Sequence, residues 1–176
     1  MSKPNNVVLI GFMGTGKTSV GKRVARRLNM RFLDMDSVIE QRQGKPISRI
    51  FADEGEAFFR DLERRLAREL AVSEGLVVGT GGGIVLNADN LRDFERTGLV
   101  VCLSATPEAI LARVGHSTHR PLLAGDDKIG TIRALLAKRQ ALYDAIPNQV
   151  NTTALSLDQV VAEIIRMYEA ASAKSV

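Results

Sequence analysis

Residues Gly11 to Thr18 read GFMGTGKT, a fit to G-x-x-x-x-G-K-[ST], and they stand between an apolar run and an amphipathic one. The apolar run, Val7 to Ile10, is short, β-branched and closed by glycines, which predicts a buried parallel strand. From Lys17 the apolar positions Val20, Val24 and Leu28 recur every fourth residue, while Lys22, Arg23, Arg26 and Arg27 take the other faces, so a helix is predicted there. Strand, glycine loop and helix in this order form a phosphate cradle. Gly11, Gly14 and Gly16 let the backbone turn tightly and aim amides at phosphate oxygens, and the helix start adds the positive end of its dipole. Lys17 is then placed to reach the β- and γ-phosphates of ATP, and the Thr18 hydroxyl to coordinate magnesium, which prefers oxygen ligands. The expected nucleotide contacts are Gly11, Gly14, Thr15, Gly16, Lys17, Thr18 and Ser19. A glycine turn with no ligand would share this composition but not this context.

The alternation continues along the chain. Arg31 to Leu33 is expected as a strand, Ser37 to Gln43 and Ile47 to Phe51 as short helices split by Gly44 and Pro46, and Glu56 to Leu70 as a longer helix with Phe59, Leu62, Leu66 and Leu70 on one face. Leu76 to Val78 is a further strand, ending in the loop TGGG, and Leu99 to Leu103 is another. Thr106, Pro107 and Glu108 carry the cap, first-turn proline and acid of a helix start. A helix from Lys128 to about Ala145, a strand near Val150, and a last helix with Ser156 and Gln159 at capping-box spacing complete the pattern. Strands alternating with helices predict an α/β fold in three layers, a central parallel sheet with helices on both faces.

Val114 to Asp127 has no periodicity and is long for a connection within a domain, as lids and disordered segments are, and a lid is expected at about 114–127. His116 and His119 within it lack acid or cysteine partners at ligand spacing and are read as solvated. At 176 residues one domain, 1–176, is expected, with a core large enough to need neither disulfide nor structural metal. Cys102, inside LVVCLS, is expected to be buried and inert. A net charge of +4 could point to nucleic acid, but the basic residues are dispersed and aromatics are 5%, which suits a small anionic ligand and not nucleic acid. The opening apolar stretch is too short for a signal sequence or a membrane span, so a cytoplasmic protein is expected, and a monomer.

The strands end in GTGGG and LSATP, without the acid that motor and switch NTPases place there, and no N-K-x-D occurs to read guanine. The acids nearest the cradle are Asp34 and Asp36 in FLDMDS. In extended backbone their i, i+2 spacing puts both on one face, one able to anchor the water shell of magnesium and the other to orient or deprotonate an acceptor hydroxyl. The same pair also suits a solvated strand end whose acids cap the next helix.

The blocks GFMGTGKTSVGKRVA, FLDMDSVIE, FADEGEAFFRDLE, TGGG, HRPLL and KRQALY, in this order, resemble those of the shikimate kinases over nearly the whole chain. The resemblance implies a three-layer P-loop kinase fold with a lid loop. It also implies transfer from MgATP to the 3-hydroxyl of shikimate, giving shikimate 3-phosphate and ADP on the route to chorismate and the aromatic amino acids. By residue, it implies that Lys17 and the cradle bind ATP, that Thr18 binds magnesium with Asp34 supporting the metal through water, and that Asp36 meets the ring hydroxyls. Arg60 and Arg139 would take the substrate carboxylate, with Gly81, Gly82 and Gly83 supplying backbone contact. Arg120 would approach the transferred phosphate from the lid, and Arg113 would lie near the adenine and the ATP phosphates. Two features depart from the family: Ala141 stands where proline is frequent, and NTTALS matches no pattern that assigns an adenine contact. Gluconate kinases, nucleoside monophosphate kinases and a non-catalytic nucleotide-binding relative are the alternatives. The acid pair with FFRD and TGGG argues against the first two, and retention of Lys17, Thr18, Asp36, Arg60 and Arg139 against the third.

Overall fold

Strand β1 (Asn6–Ile10) is buried at every position, and its alternate side chains feed two separate cores: Val7 and Leu9 on one face, Val8 and Ile10 on the other. This is the period-2 signature of a strand covered on both sides. The computed structural model describes residues 4–114 and 127–173. His116, His119, Arg120 and all but the ends of the expected lid lie outside the described residues.

Beside β1 run β2 (Arg31–Asp34), β3 (Leu76–Gly79), β4 (Gly98–Ser104) and β5 (Gln149–Asn151), in a five-stranded sheet of order β2-β3-β1-β4-β5. Every pairing is parallel, with Asp34 opposite Gly79, Leu9 opposite Gly79, Ile10 opposite Cys102 and Ser104 opposite Asn151. All the carboxyl ends therefore lie on one edge of the sheet, those of β4 and β5 reaching past those of β2 and β3, and the loops after them share that edge, the place where open parallel sheets bind ligands.

Helices α1 (Lys17–Leu28) and α7 (Leu157–Ala173) cover one face, where Val20 and Val24 meet Val160, Val161 and Ile164. On the other face lie α2 (Met35–Gln43), α3 (Ile47–Ala71), α4 (Ala88–Thr97) and α6 (Lys128–Asp144), around Met35, Ile50, Phe59, Phe94 and Ile132. Helix α5 (Pro107–Val114) adds Ile110 and Val114 to the same core. Burying each such side chain contributes roughly 1.5–3 kcal/mol. Among the described residues no helix is long and apolar enough to cross a membrane.

The caps behave as their chemistry predicts. The Gln159 carboxamide accepts from the Ser156 amide at 2.8 Å and the Ser156 hydroxyl from the Gln159 amide at 3.3 Å, a reciprocal box, and the Thr106 hydroxyl accepts from the Ala109 amide at 3.3 Å. The expected halves of α3 are two helical stretches meeting at Gly55, whose φ of 87° no β-carbon tolerates well. Cys102 is buried, and burial pushes its thiol up to about 11.

Two expectations need correction. Helix α2 starts at Met35, not Ser37, because the Asp34 side chain accepts from the Ser37 amide at 3.3 Å and caps it. Asp36 is thus in the first helical turn, so the alternation argument for its orientation does not apply. Between Gly83 and Leu99, where no element is expected, stand a 3-10 turn (Ile84–Leu86) and α4, whose only core-facing apolar residues are Leu91 and Phe94.

Candidate active site

The cradle is held in shape by its glycines. Gly11, Gly14 and Gly16 have φ of 142°, 76° and 101°, and a β-carbon on Gly11 would collide with the Leu103 carbonyl oxygen. Thr15 is buried, its hydroxyl donating to the Phe12 carbonyl at 2.8 Å. The Lys17 ammonium reaches back over the loop and donates to the carbonyls of Gly11 and Phe12 at 2.8 and 2.9 Å. The Thr18 hydroxyl donates to Asp34 Oδ2 at 3.1 Å, so the carboxylate that caps α2 with one oxygen meets the cradle with the other.

A cavity of about 480 Å³ opens over the cradle. It is lined by Gly14 through Val20, by both acids Asp34 and Asp36, by Thr80 and Gly82, and by Arg113, Thr152 and Leu155 on the far side. Asp34 and Asp36 therefore reach one cleft, as the acid-pair reading required, although a helix turn and not a strand brings them there.

The TGGG loop closes the other wall. A β-carbon on Gly81 would lie 2.7 Å from Glu63 Oε1 and 2.9 Å from Asp36 Oδ1, and one on Gly83 would collide with the Arg60 guanidinium. The loop can approach these groups only as bare backbone. Arg60 is gripped by Glu63, at i+3, and donates to Glu56 Oε1 through Nη2 at 2.9 Å, with its guanidinium 5.2 Å from the Phe59 ring centroid. From the opposite side Arg139 Nη1 donates to the Gly82 carbonyl at 3.2 Å, and the Tyr143 hydroxyl donates to the same oxygen at 2.6 Å. Burial raises the Tyr143 phenol to about 12, so it stays a donor. Two guanidinium groups thus flank a glycine loop whose middle residue borders the cradle cavity.

Burial pushes the Asp36 carboxyl up to about 6, and the charge of Asp34 adds to this, while Lys17 and Arg60 pull the other way. Burial also raises Glu63, against the opposing pull of Arg60. Asp36 Oδ1 and Glu63 Oε1 are buried without a hydrogen-bond partner in the structure, two acceptors beside Gly81. An unpaired buried acceptor is costly, and a ligand hydroxyl at Asp36 would relieve one of them.

Arg113, at the end of α5, donates to Gly14 O at 3.2 Å, to the Thr152 hydroxyl at 2.9 Å and to Thr152 O at 2.6 Å, which sets it against the cradle loop. Ser19 lines the cavity. Phe59 is in the core, its ring tilted against that of Phe51 with centroids 4.9 Å apart, and Phe58 is exposed. Three residues of the site went unread in the sequence. Glu63 and Tyr143 had a signal, lying one helical turn from Arg60 and Arg139 on the same face; Thr152 had none.

With this geometry in hand, the likenesses to known proteins are specific. A family model described as shikimate kinase matches residues 13–169. A shikimate kinase of Pelotomaculum thermopropionicum is 48% identical over 160 residues, 91% of this chain and 93% of that protein. A structure of shikimate kinase from Acinetobacter baumannii in complex with shikimate superposes with a TM-score of 0.89 at 34% identity, over 96% of this chain and 95% of that one. A gluconokinase structure from Sinorhizobium meliloti superposes with a TM-score of 0.62 at 19% identity, covering 100% of both chains, and shares the fold alone.

Proposed function

The chain belongs to the shikimate kinase family, and from that premise we propose that it transfers the γ-phosphoryl group of ATP to the 3-hydroxyl of shikimate, giving shikimate 3-phosphate and ADP on the route to chorismate and the aromatic amino acids. The observation that carries the reading is the juxtaposition at the glycine loop: cradle cavity on one side of Gly82, Arg60 and Arg139 around the loop, and Asp36 with an unpartnered buried oxygen beside Gly81. A carboxylate on a ring that also bears hydroxyls matches that set. The guanidinium forks take the carboxylate bidentately, Gly81 to Gly83 approach it as backbone, and Asp36 accepts from the hydroxyl that attacks.

The cradle, Lys17 and Arg113 hold the nucleotide, and in phosphoryl transfer the protein contributes mainly position and charge. Thr18 and Asp34 offer hard oxygen donors 3.1 Å apart, which suits a magnesium ion, with Thr18 as ligand and Asp34 acting through water. Held there, such an ion would neutralise charge on the phosphates. Arg120, outside the described residues, keeps the role that the resemblance implies, contact with the transferring phosphate.

An ADP-release assay across shikimate, gluconate and the nucleoside monophosphates tests the acceptor. Turnover is expected with shikimate only; comparable turnover with gluconate would overturn the assignment. Arg139→Ala should weaken shikimate by roughly 10- to 150-fold, the equivalent of about 1.5–3 kcal/mol for a charge-assisted pair, and leave ATP nearly unchanged. Titrations with each ligand check this, and equal losses for both would remove Arg139 from the carboxylate site.

A further inference from the structure

Thr152 stands at the end of β5 with only 3% of its surface exposed, and it is tied to three separate parts of the nucleotide side. Its amide donates to the Ser104 carbonyl at 2.8 Å, extending the sheet by one residue beyond β5. Its hydroxyl oxygen lies 3.0 Å from the Ser104 carbonyl and 3.2 Å from the carbonyl of Thr15 in the cradle, so the one hydroxyl proton serves this pair. The same oxygen accepts from Arg113 Nη1 at 2.9 Å, and the Thr152 carbonyl accepts from Arg113 Nη2 at 2.6 Å. The residue also lines the cavity over the cradle.

The bond to Thr15 bears on phosphate binding through the peptide unit that follows. A trans peptide is planar, so its N–H points opposite to its C=O. Holding the Thr15 carbonyl against Thr152 therefore holds the Gly16 amide facing the other way, at the helix start where the cradle binds anions. Gly16, with φ of 101°, has no side chain to limit rotation of that unit. On its other side the hydroxyl fixes one arm of the Arg113 fork, whose own second contact is Gly14 O in the same loop.

We propose that Thr152 is a positioning residue for the nucleotide, its hydroxyl setting the Gly16 amide and the Arg113 guanidinium together. The proposal rests on the kinase reading and adds to it a residue on the ATP side. It requires a hydroxyl at this position, not merely a side chain of that size.

The test uses the full chain and equilibrium titration with two probes, a nonhydrolysable ATP analogue with magnesium, and shikimate. Thr152→Val keeps the shape and removes the hydroxyl; nucleotide affinity should fall roughly tenfold while shikimate affinity changes less than about twofold. Thr152→Ser restores the hydroxyl and should bind nucleotide as the wild type does. Unchanged nucleotide affinity in Thr152→Val, or equal loss for both ligands, overturns the proposal. If Thr152→Val does not fold, Thr152→Ala takes its place in the same titrations, and failure of both to fold makes Thr152 a structural residue only. A wild-type chain that binds no nucleotide would instead overturn the kinase reading itself.

Discussion

Replacing Lys17 by methionine should lower kcat by roughly 10²- to 10³-fold or more and leave the fold in place, because in the proposed function it removes one preorganised charge aimed at the transferring phosphate. The methionine has about the same reach but no donor, so the ammonium's bonds to the Gly11 and Phe12 carbonyls are lost with the charge. Those carbonyls belong to a loop whose shape rests on its glycines and on the Thr15 hydroxyl, which is why the cradle should persist. Lys17 also pulls the Asp36 carboxyl down, so the variant should shift the acid limb of any residual activity to higher pH. Steady-state kinetics with circular-dichroism melting reads both effects. A folded variant with near wild-type turnover would sink the assignment of Lys17 to the phosphates.

Asp36→Asn should act on activity and stability in opposite directions. In the proposed function Asp36 accepts from the acceptor hydroxyl, and removal of that carboxylate is expected to lower kcat roughly 10²- to 10⁴-fold, the range for positioned acid–base groups. The same carboxyl is raised from 3.8 to about 6 in the folded protein, chiefly by burial. Between these two values the folded state binds more protons than the unfolded one, so wild-type stability falls as pH rises through the window. Above pH 6 the whole penalty is present, and below about 4 none of it is. At about 1.4 kcal/mol per unit, the shift from 3.8 to about 6 corresponds to a penalty on the order of 3 kcal/mol, which asparagine would not carry. Denaturant melts at pH 8 and at pH 4 check this: Asp36→Asn should be the more stable protein at pH 8, with the difference closing at pH 4. A variant less stable than wild type at both values would mean that Asp36 carries no burial penalty. Such a trade, where a functional group is held against its own solvation, is usual at sites that do chemistry.

Several features of the site were legible because they depend on residues one or two turns apart. The cradle is such a feature, its glycines, lysine and threonine standing at spacings that the strand-to-helix turn itself demands. The strand sequence β1 to β5 and the reciprocal cap at Ser156 and Gln159 were read in the same way, from period and short-range hydrogen bonding. Reading failed where local signals were weak or ambiguous. Helix α4 buries little besides Leu91 and Phe94, too few positions to establish a period, and FLDMDS could continue as a strand or turn into a helix until the Asp34 cap decided it.

The sequence alone determined the alternation of strands and helices, the glycine-rich strand-to-helix loop and, through the resemblance of its ordered blocks, the kinase family. Only the tertiary structure decided which groups complete the site. Gly82 meets Tyr143 across 61 positions of chain, and Thr15 meets Thr152 across 137. Such pairs are set by the order and register of strands, which bring the carboxyl ends of all five to one edge of the sheet, and no local period records them. The high pKa of Asp36 has the same origin: its side chain is an ordinary carboxyl until the TGGG loop, Glu63 and the core exclude water from it.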